Sequence, residues 1–83
     1  MNIIDITPCF RITKENEFCG METYVEIGSK VLITYENRNT LIGYIQILDY
    51  GKSPYEDDML VLQLDNGTLV GVMMNLIADI EAI

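Results

Sequence analysis

The stretch "VLQLDNGTLVGV", Val61 to Val72, decides how the chain folds, because it sets two β-prone runs on either side of Asn66-Gly67. Asn-Gly between alternating apolar residues is the strongest short hairpin signal, since a two-residue type I′ turn needs positive φ at both central positions. The spacing predicts strands over 59–65 and 68–74, with Asp65 opposite Thr68. In that register Leu64 faces Leu69, Leu62 faces Gly71 and Leu60 faces Met73, which makes the leucine face the expected core. Val61, Val70 and Val72 are left on the other face, unusually apolar for a surface and a candidate interface for a partner subunit.

Strand signals extend upstream to residue 29. Over 30–36, Val31, Ile33 and Tyr35 alternate with Lys30, Leu32, Thr34 and Glu36, and Asn37-Arg38-Asn39 marks a turn. A second run, 41–48, places Leu41, Gly43, Ile45 and Ile47 on one face, where the glycine suits a bend or the close approach of another backbone. "YGKSPYEDD", Tyr50 to Asp58, mixes Gly, Pro, Ser and charge and reads as a surface loop. The chain ends in "NLIADIEAI", with 79–83 expected as a fifth strand; the three-residue spacing of Ile77, Ile80 and Ile83 leaves a helical turn open.

Upstream of residue 28 two readings stand side by side. Thr13-Lys14-Glu15-Asn16-Glu17 has the early acids of a short helix. A hairpin about Lys14 instead pairs Cys9 with Cys19, Phe10 with Phe18 and Arg11 with Glu17. Either way, the expected organisation is an extension over 1–27 packed on a small barrel over 28–83.

Composition bounds the function. The chain has 83 residues, nearly half of them apolar, enough for one small core. Thirteen acids against five cations give a net charge of −8, which repels a phosphate backbone and favours basic partners. The cations Arg11, Lys14, Lys30, Arg38 and Lys52 are scattered and make no basic stripe. No apolar run reaches membrane-span length, and Met1-Asn2-Ile3-Ile4-Asp5 lacks the basic lead of a signal peptide, so a cytoplasmic protein is expected. Two cysteines, Cys9 and Cys19, are too few for a disulfide scaffold, and without any histidine they cannot complete a tetrahedral metal site in one subunit.

The absence of histidine from the sequence also excludes Ser-His-Asp and Cys-His nucleophile systems. Asp65-Asn66-Gly67 is followed by "TLVGVMM" and lacks the ligand offsets of a calcium loop. Gly51-Lys52-Ser53 mimics the end of a phosphate loop but lacks the upstream glycine and runs into Pro54. No cofactor and no catalytic residue is therefore expected. Of the five tyrosines, Tyr50 and Tyr55 fall on the long loop beside Glu56, Asp57 and Asp58, and these five residues are the first candidates for a partner contact.

Leu41-x-Gly43-x-Ile45-x-x-x-Asp49 resembles the first motif of the Sm-like proteins, a group of small SH3-like barrels built on a bent five-stranded antiparallel sheet. The resemblance implies that fold, and with it ring formation and RNA binding. The family's base-holding asparagine after the aspartate corresponds to a stretch with Ser53 near that place. Its Arg-Gly at the end of strand four falls near Met73-Met74-Asn75, where neither residue occurs. The stretch from Gly43 to Ile83 is also similar to the YolD-like proteins and to the Rho-termination inhibitors, acidic barrels that bind a protein's RNA-binding surface. The expected fold class is thus mainly β, a five-stranded antiparallel SH3-like (Sm-like) barrel with an N-terminal extension. The expected function is a non-catalytic acidic interaction module, a regulator or inhibitor docking on a basic, nucleic-acid-binding protein surface. An Sm-like RNA-binding ring and a purely structural oligomerisation domain are the alternatives.

Overall fold

The computed structural model describes residues 1–15, 19–52 and 57–83. The described residues form seven strands: β1 (Cys9–Glu15), β2 (Gly20–Glu26), β3 (Lys30–Tyr35), β4 (Thr40–Asp49), β5 (Met59–Gln63), β6 (Leu69–Met73) and β7 (Ile77–Ala82). A 3₁₀ turn, Met74–Leu76, links β6 to β7. β1 and β2 make a two-stranded sheet, and the other five make an antiparallel sheet in the order β6-β5-β4-β3-β7. The chain therefore meanders from β3 to β6, then returns to lay β7 against β3.

That return forces curvature. In a flat sheet β6 and β7 would stand four strand spacings apart, roughly 19 Å. A 3₁₀ turn with about 2 Å of rise per residue, together with the steps into and out of it, bridges only roughly 8 Å. The five-stranded sheet accordingly curls to bring these two edges together at the 3₁₀ turn. Its hydrogen bonding does not run on around a closed barrel: β6 and β7 each pair on one side only.

The concave face holds the core. Val31 and Ile33 on β3, Ile45 on β4, Leu60 and Leu62 on β5 and Val72 on β6 are all buried, and Val25 of β2 joins them from the hairpin. Each such side chain is worth about 1.5–3 kcal/mol of burial. Phe10 and Ile12 of β1 pack on the same cluster, so the β1–β2 hairpin lies over the open side of the curled sheet. Among the described residues no polar or charged side chain is buried.

The β5–β6 hairpin forms, but one residue out of the expected register. Leu62 pairs with Val70, Leu60 with Val72 and Val61 with Gly71. The loop is Asp65-Asn66-Gly67 rather than Asn66-Gly67 alone: the Leu64 N–H donates to Thr68 O at 2.8 Å and the Gly67 N–H to Leu64 O at 2.9 Å. Only Gly67 has positive φ there, 85°. This is a type I turn closed by a left-handed residue, the three-residue hairpin, in place of a type I′ turn. A one-residue slip flips every side chain of a strand to the other face. Val72, 2% exposed, and Val70 therefore lie on the core side with Leu60 and Leu62, while Leu69 turns outward. Val61, Val70 and Val72 do not share an outward face.

A second correction concerns β4. Ile45 pairs with Leu62 and Ile47 with Val61, so Gln46 is an extra residue with no partner on β5. This β-bulge inverts the alternation beyond it. Leu41, Gly43 and Ile45 face inward as expected; Ile47 faces out, and Leu48 takes the inward place opposite Leu60.

The N-terminal residues adopt the hairpin reading rather than the helix, in a different register. Cys9 pairs with Glu26, Phe10 with Val25, Arg11 with Tyr24 and Glu15 with Gly20. The link between the two strands therefore lies beyond Glu15, not at Lys14. This register puts Phe10, Ile12 and Val25 on one face and Arg11, Glu22 and Glu26 on the other, which is what covering an apolar core demands. At the other end, β7 starts at Ile77, two residues before the expected strand, so the helical turn left open by the spacing of Ile77, Ile80 and Ile83 does not form; the 3₁₀ turn at 74–76 lies just ahead of them.

Candidate interaction surfaces

The curled sheet has a convex face as well, and its residues follow from the same register. On β3 and β4 it carries Leu32 beside Ile42, then Tyr44. Past the bulge come Ile47 beside Val61, with Met59 and Met73 beyond them, while Leu69 lies on the same face next to Gln63, which separates it from Tyr44. These are β-branched, aromatic or long apolar side chains, suited to a strand but drawn to burial. Ile42 is 48% exposed, Ile47 56% and Leu69 62%. Gly71 contributes no side chain, and the thioether of Met59 lies across the space its Cβ would take. The rim is polar: Lys30 pairs with Tyr44, Glu81 with Leu32 and Asp49 with Met59. An apolar centre ringed by polar residues is the layout of a protein-docking surface. Sequence reasoning missed this patch because it placed Ile47 inside and Val72 outside; both errors come from a single inserted residue, Gln46 in one case and Asp65 in the other.

A second feature lies between the two sheets. A groove of about 470 Å³ is bordered by β1 from Phe10 to Glu15 and by β7 from Ile77 to Ile80. A sheet face would contribute alternate residues, whereas here consecutive ones line the groove, so the backbone edges of both strands border it. Its floor reaches Ile45 and Leu60 of the core, and Leu48 and Met74 also line it. Across one end the Lys14 Nζ meets Asp79 Oδ1 at 2.7 Å. The hydrogen bond from Lys14 holds the Asp79 carboxyl below its ordinary pKa, against the opposing effect of partial desolvation.

The long loop is only partly described. Tyr55 and Glu56 lie outside the described residues. Tyr50 is exposed, as is Asp57. Asp58 is half-buried and anchors the base of the loop: its Oδ1 accepts from the Gly51 N–H at 3.2 Å, and its carbonyl accepts from the Met74 N–H at 3.0 Å. Asp58 thus ties the loop to the 3₁₀ turn, whereas Tyr50 and Asp57 are presented to solvent.

Neither cysteine is in a disulfide. Cys9 opens β1, while Cys19 precedes Gly20, the partner of Glu15 six residues along β1. At about 3.4 Å per residue the two are roughly 20 Å apart, far beyond disulfide reach within one chain. Among the described residues no cluster of three metal-ligating side chains occurs, and no helix is long and apolar enough to cross a membrane. Comparison with protein-family models, with curated proteins and with solved structures returns no match to this chain.

Proposed function

We propose that this protein is a non-catalytic interaction module of the SH3-like, Sm-like barrel type that docks on a basic protein surface through the convex face of its five-stranded sheet. The observation that carries the reading is the set of apolar side chains, Ile42, Ile47, Val61 and Leu69, that the strand register places on the convex face. Curling of the sheet at the 3₁₀ turn supports the barrel class. The charge of −8 supports a basic partner, since acids outside the apolar centre steer and select an oppositely charged surface. Exposed thiols outside any disulfide fit a reducing compartment, and we place the protein in the cytoplasm.

Affinity capture at low and at high salt tests it, with an Ile42→Ser/Ile47→Ser/Leu69→Ser chain as the control. A partner held at low salt, weakened at high salt and lost by the triple variant supports the reading. A partner indifferent to both overturns it.

The second reading is a ring-forming RNA binder. It is favoured by the two open edges, β6 and β7, through which neighbouring subunits can pair. It requires rings in sedimentation and affinity for short U-rich or A-rich RNA at physiological salt; monomers without an RNA shift remove it.

A further inference from the structure

Residues 1–8 precede β1 without secondary structure, and every one of them is exposed. Ile3, Ile4 and Ile6 are each more than three-quarters exposed. Isoleucine is the wrong residue to leave in water at three positions of a short segment, and it is a strong strand former. The segment is already extended in the part nearest β1: the Thr7 hydroxyl donates to Asp5 Oδ2 at 2.6 Å, which sets these two on one side and Ile4 and Ile6 on the other. The radius of gyration, 14.1 Å, exceeds the roughly 12 Å of a compact chain of this length, as a projecting segment requires.

The groove between β1 and β7 has the complementary needs. It offers unpaired backbone edges on both sides, six residues long on β1, and an apolar floor that runs down to Ile45 and Leu60. An edge bordering an uncovered apolar cleft is a template for strand addition. The segment does not lie in the groove of its own chain: all of residues 1–8 are exposed. The Ile27 N–H donates to Pro8 O at 3.1 Å, so the hairpin ladder continues through Pro8. Folding back into that groove needs a reversal directly ahead of Pro8, where the Thr7–Asp5 hydrogen bond holds the segment extended.

We propose that residues 1–7 of one copy dock in the β1–β7 groove of a second copy as an added strand, with Ile4 and Ile6 on the apolar floor and Asp5 toward Arg11 at the rim. The segment leaves the body at Pro8, two residues before its own groove begins at Phe10. Reciprocal exchange therefore sets the two grooves end to end about a two-fold axis. Two copies of charge −8 repel, so added salt tightens this dimer. Docking on a basic partner through the convex face weakens with salt, and the two associations are separable by that sign.

Sedimentation equilibrium of the full chain and of Ile4→Asp/Ile6→Asp tests the proposal. The substituted positions lie outside the fold, so both proteins keep the same circular dichroism. The expected result is a dimer whose dissociation constant rises on the order of 100-fold or more in the variant. In a Cys9→Ser/Cys19→Ser background, chains carrying Ile6→Cys are mixed with chains carrying Ala78→Cys and mildly oxidised; a disulfide between positions 6 and 78 of different chains is expected. A monomer at all concentrations overturns the proposal. So does a dimer of unchanged affinity in the Asp variant, or a failure of the mixed chains to cross-link.

Discussion

Lys14 and Asp79 form the ion pair that fastens the hairpin to the five-stranded sheet, Nζ to Oδ1 at 2.7 Å. Both side chains are partly solvated, so the pair contributes at the modest end, about 0.5–1 kcal/mol. Because the folded-state pKa of Asp79 is lowered, its contribution is fully present above the unfolded carboxylate value and is lost as pH falls through the lowered one. Asp79→Asn should therefore destabilise the protein at neutral pH, and the difference from the parent should vanish in strong acid. Urea denaturation of both proteins at pH 7 and near pH 2 measures this; an undiminished difference in acid would count against the pair.

The two tight hairpins of the large sheet share one loop geometry. In Glu36-Asn37-Arg38 the Tyr35 N–H donates to Asn39 O at 2.8 Å and Asn37 Oδ1 accepts from the Asn39 N–H at 3.0 Å. In Asp65-Asn66-Gly67 the matching bonds are Leu64 N–H to Thr68 O and Thr68 N–H to Asn66 Oδ1. The left-handed position is Gly67 in one and Arg38, at φ 73°, in the other. An L-residue there costs about 1–2 kcal/mol, partly offset by the greater unfolded-state freedom of glycine. Arg38→Gly should stabilise the protein by about 0.5–1 kcal/mol, and Gly67→Ala should destabilise it by about 1 kcal/mol. Opposite shifts in thermal midpoint are the expected readout.

These loops also show what the sequence could and could not say. The strands of the large sheet, and the existence of the β5–β6 hairpin, are legible because Val, Ile, Leu and Tyr alternate between clear turn residues. The faces are harder. Asn-Gly serves a two-residue and a three-residue turn alike, and the choice is settled by whether Leu60 and Leu62 meet valines or a glycine across the core. Gln46 looks like any strand residue, yet leaving it unpaired is what lets both Ile45 and Leu48 face inward. At the N-terminus the pairing of Phe10 with Val25 is a tertiary preference, set by the core the hairpin covers, and local spacing does not report it. The convex patch and the groove inherit these choices, so neither was visible beforehand.

Gly43 and Gly71 respond differently to a methyl group. A Cβ at Gly43 would sit 3.2 Å from both the Gln63 carbonyl oxygen and Leu62 Cβ, atoms fixed in the β4–β5 ladder. At Gly71 the obstacle is the flexible thioether of Met59 on an exposed face. Gly43→Ala should cost about 1–3 kcal/mol by forcing the strands apart. Gly71→Ala should stay within about 0.5 kcal/mol of the parent, as surface changes do. Chemical denaturation of the two variants side by side decides the matter, and equal effects would contradict the packing described.

Deleting Gln46 and replacing it are both predicted to leave the β4–β5 pairing intact. Its side chain donates from Nε2 to Tyr44 O at 3.2 Å, a single partly buried hydrogen bond. Gln46→Ala should then cost only about 1 kcal/mol. Deletion removes the extra residue of the bulge and leaves Ile45, Ile47 and Leu48 in regular alternation opposite Leu62, Val61 and Leu60, the partners they already have. Leu48 stays inward against Leu60 and Ile47 stays on the convex face. The deletion should therefore keep cooperative unfolding, losing only the local bend that the bulge adds. Amide exchange of β4 and β5 reads this directly: near-parental protection is expected in Gln46→Ala and in the deletion. Lost protection in the deletion would mean that the sheet depends on the bend made by the extra residue and not on the pairing alone.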